Sequence, residues 1–147
     1  MKIGIVGGGP AGLYFARLMK RHDPRHAVTV VEQNPEGATY GFGIALGDLA
    51  LERFRSADAE LLRELEATMV FENRQDIRLN QESIVVAYTT RGGAIERLSL
   101  LRILLKACRA VGVEVEHGSR LDAIERFRDY DLIVAADGAN SAVRSLH

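Results

Sequence analysis

Ile3-Gly4-Ile5-Val6-Gly7-Gly8-Gly9-Pro10-Ala11-Gly12 is the stretch that decides the fold. The apolar run at residues 3–6 reads as a buried strand of a parallel sheet, and it ends in a glycine cluster. Gly7, Gly9 and Gly12 satisfy the pattern G-x-G-x-x-G. Gly7 permits the tight turn leaving the strand, Gly9 lets the backbone approach a pyrophosphate, and Gly12 allows close helix–strand packing. Pro10 is expected at the first helical position, with Ala11 beside it. Phosphates are expected at this helix N-terminus, where unpaired N–H groups and the helix dipole favour negative charge.

Context strengthens a motif that is weak alone. Leu13, Phe15, Leu18 and Met19 give the helix an apolar side, and Asp23-Pro24 stops it. Residues 27–31 form a second continuous apolar strand ending at Glu32, twenty residues after Gly12. A carboxylate there accepts hydrogen bonds from an adenosine ribose and repels a 2′-phosphate, which points to FAD or NAD rather than NADP at this site. The strand, helix and strand together match a right-handed crossover unit.

Beyond Glu32 the chain is loop-like through Gln33, Pro35, Gly37, Gly41 and Gly43. Residues 48–67 suit one or two helices broken near Ser56-Ala57-Asp58. Ile77 and Leu79, then Ile84, Val85, Val86 and Tyr88, predict a hairpin around the polar turn Asn80-Gln81-Glu82-Ser83. This hairpin interrupts the strand–helix rhythm and is expected to be an inserted β layer at about residues 69–90. Leu100, Leu101, Leu104, Leu105, Cys108 and Val111 recur at helical spacing, with Gly112 just past the end. Residues 113–116 alternate as a strand, and residues 132–136 form another buried strand closed by Asp137-Gly138. The fold class expected is α/β: a Rossmann-like, doubly wound, mainly parallel sheet carrying an inserted β-hairpin.

Asp137-Gly138-Ala139-Asn140-Ser141-Ala142-Val143-Arg144 is expected between a buried strand and a helix, where such sheets place their ligands. This D-G-x-x-S-x-x-R segment resembles the second fingerprint of the flavoprotein aromatic hydroxylases, the group that includes para-hydroxybenzoate hydroxylase. The resemblance implies that Asp137, Gly138, Ser141 and Arg144 lie near the pyrophosphates of FAD and of the reducing nucleotide. It likewise implies that Arg97, followed by Leu100, Leu101 and Leu104, stands close to the flavin. A narrower resemblance, carried by residues 7–16, Asp23-Pro24-Arg25-His26 and Tyr40-Gly41-Phe42-Gly43-Ile44, is to the salicylyl-CoA and anthraniloyl-CoA hydroxylase branch. Phe42 departs from it where an indole is frequent, and Gln33 departs where a basic residue commonly follows the ribose-binding Glu.

What the resemblance implies is FAD as cofactor, NADH or NADPH as reductant, and O2 and a small aromatic compound as substrates, an aryl-CoA thioester among the candidates. The expected cofactor residues are Gly7, Gly9, Pro10, Ala11, Gly12, Glu32, Gln33, Arg97, Asp137, Gly138, Ser141 and Arg144. No catalytic residue is assigned, because the flavin carries the chemistry. Family members run to more than twice this length, so residues 1–147 are expected to be a truncated FAD-binding domain with an incomplete substrate domain. Another FAD- or NAD-dependent oxidoreductase, or a nucleotide-binding module without turnover, stays open.

Composition sets outer bounds. With 19 Lys and Arg against 20 Asp and Glu, the net charge of −1 gives no basic face for nucleic acid. No apolar run approaches the roughly 18 residues that span a bilayer. The first residues run straight into the glycine cluster without a signal-peptide pattern, so a cytoplasmic protein is expected. The single cysteine, Cys108, excludes an internal disulfide. His22, His26, His117 and His147 show no metal-ligand spacing, so no metal is expected. Asp58, Glu60, Glu64 and Glu66 are expected to form a solvated helix face.

Overall fold

A computed structural model describes residues 1–119 and 123–146. In chain order the elements are β1 (Lys2–Val6), α1 (Pro10–His22), β2 (Ala27–Val31), β3 (Gly43–Leu46), α2 (Asp48–Glu66) and β4 (Val70–Leu79). There follow β5 (Glu82–Glu96), α3 (Arg97–Ala110), β6 (Glu114–Glu116), α4 (Ala123–Arg126), β7 (Leu132–Ala135) and α5 (Ala142–Leu146). They group into two units, one made of Met1–Thr39 with Leu100–His147, the other of Tyr40–Ser99. No helix among the described residues is long and apolar enough to cross a membrane.

The first unit holds a four-stranded sheet in the order β6-β2-β1-β7. All its pairings are parallel, with Ile3 opposite Val28 and Leu132, and Val30 opposite Val115. This confirms the doubly wound reading. Burial on both faces explains why β1 and β2 read as apolar runs rather than alternating ones. β7, expected to be buried, instead alternates, with Ile133 and Ala135 exposed. Ile3, Ile5 and Val30 are fully buried. Gly4 points to the face opposite Ile3 and Ile5, where a Cβ would collide with the ring of the fully buried Phe127. Phe127 packs with Val6 and Val31, and its ring lies 4.7 Å from that of Tyr130. Helices α1 and α3 are tied by polar contacts inside the core. Arg17 donates from Nη1 to the Ala107 carbonyl at 2.9 Å, and the Cys108 thiol donates to the Leu13 carbonyl at 3.0 Å.

The second unit holds a three-stranded antiparallel sheet in the order β3-β5-β4. The expected hairpin is present, but its strands run longer than the apolar clusters and its turn narrows to Asn80-Gln81. Asn80 adopts φ 57°, a left-handed conformation that asparagine tolerates better than most residues. Two elements differ from expectation. Gly43, read as loop, and residues 44–46, given no element, form β3 against Gly93, Ala94, Ile95 and Glu96, and the one-turn helix α4 was not anticipated. Helix α2 breaks at Asp58, as foreseen, with φ −155° and ψ 76°. Asp58 is not on a solvated face: it is 1% exposed, and its Oδ1 accepts the Leu61 amide at 3.1 Å. It therefore caps the second half of α2, whose Leu61, Leu62 and Leu65 are buried.

Candidate functional site

At the C-terminal edge of the parallel sheet, β1 passes into α1 through the glycine turn. Gly7 takes φ 111° and donates its amide to the Val31 carbonyl at 2.8 Å. A Cβ on Gly7 would strike the Ala136 carbonyl, and one on Gly12 would strike the Gly7 carbonyl oxygen. Gly9 differs: a Cβ there meets nothing within 4 Å. Gly9 is the N-cap of α1 and supplies no side-chain cap; Pro10 follows at the first helical position, where its missing N–H costs nothing. The first turn has no acidic residue, while the last carries Lys20, Arg21 and His22. The positive end of a 13-residue helix thus faces open space with no side chain of its own over it.

Glu32 follows β2 at the same edge. Its Oε2 accepts the Gly8 amide at 2.7 Å. Its Oε1 accepts both the backbone amide of Asn34 at 2.9 Å and the Asn34 side-chain amide at 2.7 Å. Beneath the carboxylate, the Glu32 amide donates to the Glu116 carbonyl, and the Ser119 amide donates to the Glu32 carbonyl. Gln33, between the two, is exposed.

The Asp137–Arg144 segment closes on itself. The Ala136 amide donates to the Val6 carbonyl at 2.7 Å, which places the segment beside the glycine turn. Gly138 turns the chain with φ 88°. Asp137 Oδ2 accepts the amides of Ala142 and Val143, and the buried Ser141 hydroxyl accepts the Arg144 amide at 3.0 Å. The Arg144 guanidinium donates to the Ala139 carbonyl. Partial burial alone would raise the Asp137 pKa. The Ser141 hydroxyl and the backbone amides outweigh it and hold the carboxyl below its ordinary range.

The first unit therefore brings together Gly7, Gly9, Pro10, Ala11, Gly12, Glu32, Asp137 and Gly138, with Ser141 and Arg144 bracing the last turn. Arg97 lies in the second unit, at the start of α3. Its amide donates to the Phe42 carbonyl at 3.2 Å, and its buried Nε has no hydrogen-bond partner. Tyr40 and Phe42 are exposed. Reading from sequence missed Gly8 and Asn34 as partners of Glu32; the signal for Asn34 was its residue type, since asparagine readily bonds nearby backbone in loops.

Several of the residues set aside pack inside the fold or lie beside a carboxylate. Burial pushes the Cys108 thiol up to about 11, against the opposing charge of Arg17. His26 is buried, with Nδ1 3.4 Å from the Met1 amine, and His117 Nδ1 lies 3.9 Å from Glu36. His147 lies outside the described residues. Among the described residues no cluster of three His, Cys, Asp or Glu could hold a metal ion.

Comparison with known proteins agrees with this geometry. Residues 5–42 match the NAD(P)-binding Rossmann-like domain. The chain is 38% identical over 144 residues to the 3-hydroxy-4-methyl-anthranilyl-[aryl-carrier protein] 5-monooxygenase of Streptosporangium sibiricum, covering 98% of this chain and 40% of that protein. It is 35% identical to a salicyloyl-CoA 5-hydroxylase of Streptomyces sp, covering 99% of this chain and 28% of that protein. A solved structure of 2-methyl-3-hydroxypyridine-5-carboxylic acid oxygenase superposes with a TM-score of 0.78 at 23% identity, covering 95% of this chain and 40% of that one, which supports the fold. The chain thus spans two fifths or less of the length of these curated relatives. The resemblance drawn from the motifs is borne out, since the relatives are named as a monooxygenase and a hydroxylase.

Proposed function

We propose that residues 1–147 are the FAD-binding portion of an NAD(P)H-dependent flavoprotein monooxygenase that hydroxylates an aromatic ring with O2. One observation carries the reading. The bare N-terminus of α1 faces open space at Gly9, at the same sheet edge as the Glu32 carboxylate. That combination fits the pyrophosphate and ribose of an adenine dinucleotide.

Each residue then has a task. The amides at the start of α1, framed by Gly7, Gly9, Pro10, Ala11 and Gly12, hold the pyrophosphate. Glu32, with Gln33 beside it, takes the ribose. Asp137 and Gly138 present the second turn. Ser141 and Arg144 keep that turn in shape through the Ser141 hydroxyl on the Arg144 amide and one guanidinium N–H on the Ala139 carbonyl. The exposed Arg144 guanidinium has further donors to offer a phosphate. Arg97, which the resemblance sets beside the flavin, is included as a further cofactor residue. FAD, when bound, supplies the redox and oxygen-transfer chemistry; the protein supplies binding, orientation and shelter from water.

The substrate is an aromatic acid carried as a thioester. This extends to the chain what its relatives' names say of anthranilyl-carrier-protein and salicyloyl-CoA substrates. NADH or NADPH is the reductant and the cytoplasm the compartment. The description of the matched domain as NAD(P)-binding favours a second reading, a nicotinamide-dependent oxidoreductase. Titrating the chain with FAD, ADP, NAD and NADP, with a visible spectrum of the purified protein, separates the two. The proposal expects FAD and ADP to bind in competition and NADP not to displace them from the Glu32 site; selective binding of NAD over FAD would favour the nicotinamide enzyme.

A further inference from the structure

We infer that Asn34 is a positioning residue for Glu32, and that it sets how the carboxylate discriminates among adenosine riboses. The inference rests on the reading of Glu32 as the ribose acceptor. A carboxylate offers about four lone-pair directions. Three are taken: two on Oε1 by the backbone and side-chain amides of Asn34, and one on Oε2 by the Gly8 amide. One direction on Oε2 is left for a ligand.

The terminal torsion of a glutamate is broad and intrinsically weakly oriented, so its plane is set by whatever donors surround it. Here two of the three donors come from Asn34. Asn34 is itself held, because its carbonyl accepts the Gly118 amide at 3.1 Å and Pro35 follows it. The loop thereby fixes the carboxylate before any nucleotide arrives. Removing the Asn34 carboxamide leaves Oε1 with the Asn34 backbone amide alone. The plane of the group is then less firmly held, which lowers its selectivity for ribose hydroxyls without touching the pyrophosphate turn.

The test compares ADP with 2′,3′-dideoxy-ADP by calorimetric titration of the 147-residue chain. A hydrogen bond to a charged acceptor is worth about ten- to hundredfold, so the native chain prefers ADP by about tenfold or more. Asn34→Ala should shrink that preference to about threefold or less, leaving dideoxy-ADP affinity within about twofold. Asn34→Ser, which keeps a short donor, should retain part of the preference. In a Glu32→Gln background, Asn34→Ala should cause no further loss, as expected of a residue acting only through Glu32. The inference is overturned if Asn34→Ala leaves the preference unchanged or raises it, weakens both ligands equally, or still lowers it in the Glu32→Gln background. A native chain that binds ADP and dideoxy-ADP alike would overturn the Glu32 reading and this inference with it. A native preference that survives Asn34→Ala would remove Asn34 alone.

Discussion

Two identical chemical changes in the glycine turn should have unequal consequences. Gly12→Ala places a methyl group against the Gly7 carbonyl oxygen, with the Ala136 side chain 3.3 Å away. The first obstacle is backbone rather than the end of a flexible side chain, so α1 must move off β1. Overpacking of this kind costs about 1–3 kcal/mol, and a backbone obstacle belongs at the upper end. Gly12 is inside α1, so alanine regains about 1 kcal/mol of helix propensity. About 2 kcal/mol of destabilisation remains. In a chain of 147 residues that lowers Tm by about 4–8 °C. Gly9→Ala adds the same methyl where nothing lies within 4 Å. Its N-cap backbone, φ −71° and ψ 177°, is open to any residue, so its Tm should stay within about 1 °C of the native value. Thermal unfolding followed by far-ultraviolet circular dichroism checks both. A Gly12→Ala chain as stable as the native one would refute the packing argument.

Other consequences are separable. Asp58→Ala removes the buried cap of the second half of α2 and should cost about 1–2 kcal/mol or more in chemical denaturation, whereas Glu60→Ala on the exposed surface should cost about 0.5 kcal/mol or less. Asp137 has a depressed pKa in the folded chain, so its contribution is present above the ordinary carboxylate value and is lost as pH falls through the folded one. The acid limb of a stability–pH curve below about pH 4 should therefore be shallower in Asp137→Asn, and an unchanged limb would count against the capping role. Cys108, buried and shifted up to about 11, should resist a thiol reagent at pH 8 in the folded chain and react promptly in denaturant.

How much was legible follows from how local each feature is. The β1–α1–β2 unit could be read because its apolar runs, glycines, Pro10 and Glu32 lie close together and each acts through its own backbone or its neighbours. β7 and its Asp137-Gly138 turn were legible for the same reason. Strand β3 was not: Gly43 and Ala45 carry little strand preference, and the element exists only through pairing with Ala94 and Ile95, far along the chain. Asp58 was misjudged because residue type suggests exposure, whereas its burial is repaid by capping a restarted helix. In the site, backbone-determined positions were readable, and side-chain partnerships were not. Nothing periodic marks Asn34 as the donor to Glu32, or Arg144 as a brace for Ala139.

The central claim is that the open space over Gly9 at the start of α1 receives the pyrophosphate of an adenine dinucleotide. Calorimetric titration of FAD and ADP into the native chain and into Gly9→Val tests it most directly. The valine Cβ should stand in the ligand's place with no protein atom within 4 Å of it. The account predicts an unchanged Tm with binding weakened by about a hundredfold or more, equivalent to about 2.7 kcal/mol. A Gly9→Val chain that keeps its native fold and native affinity for both ligands would contradict it.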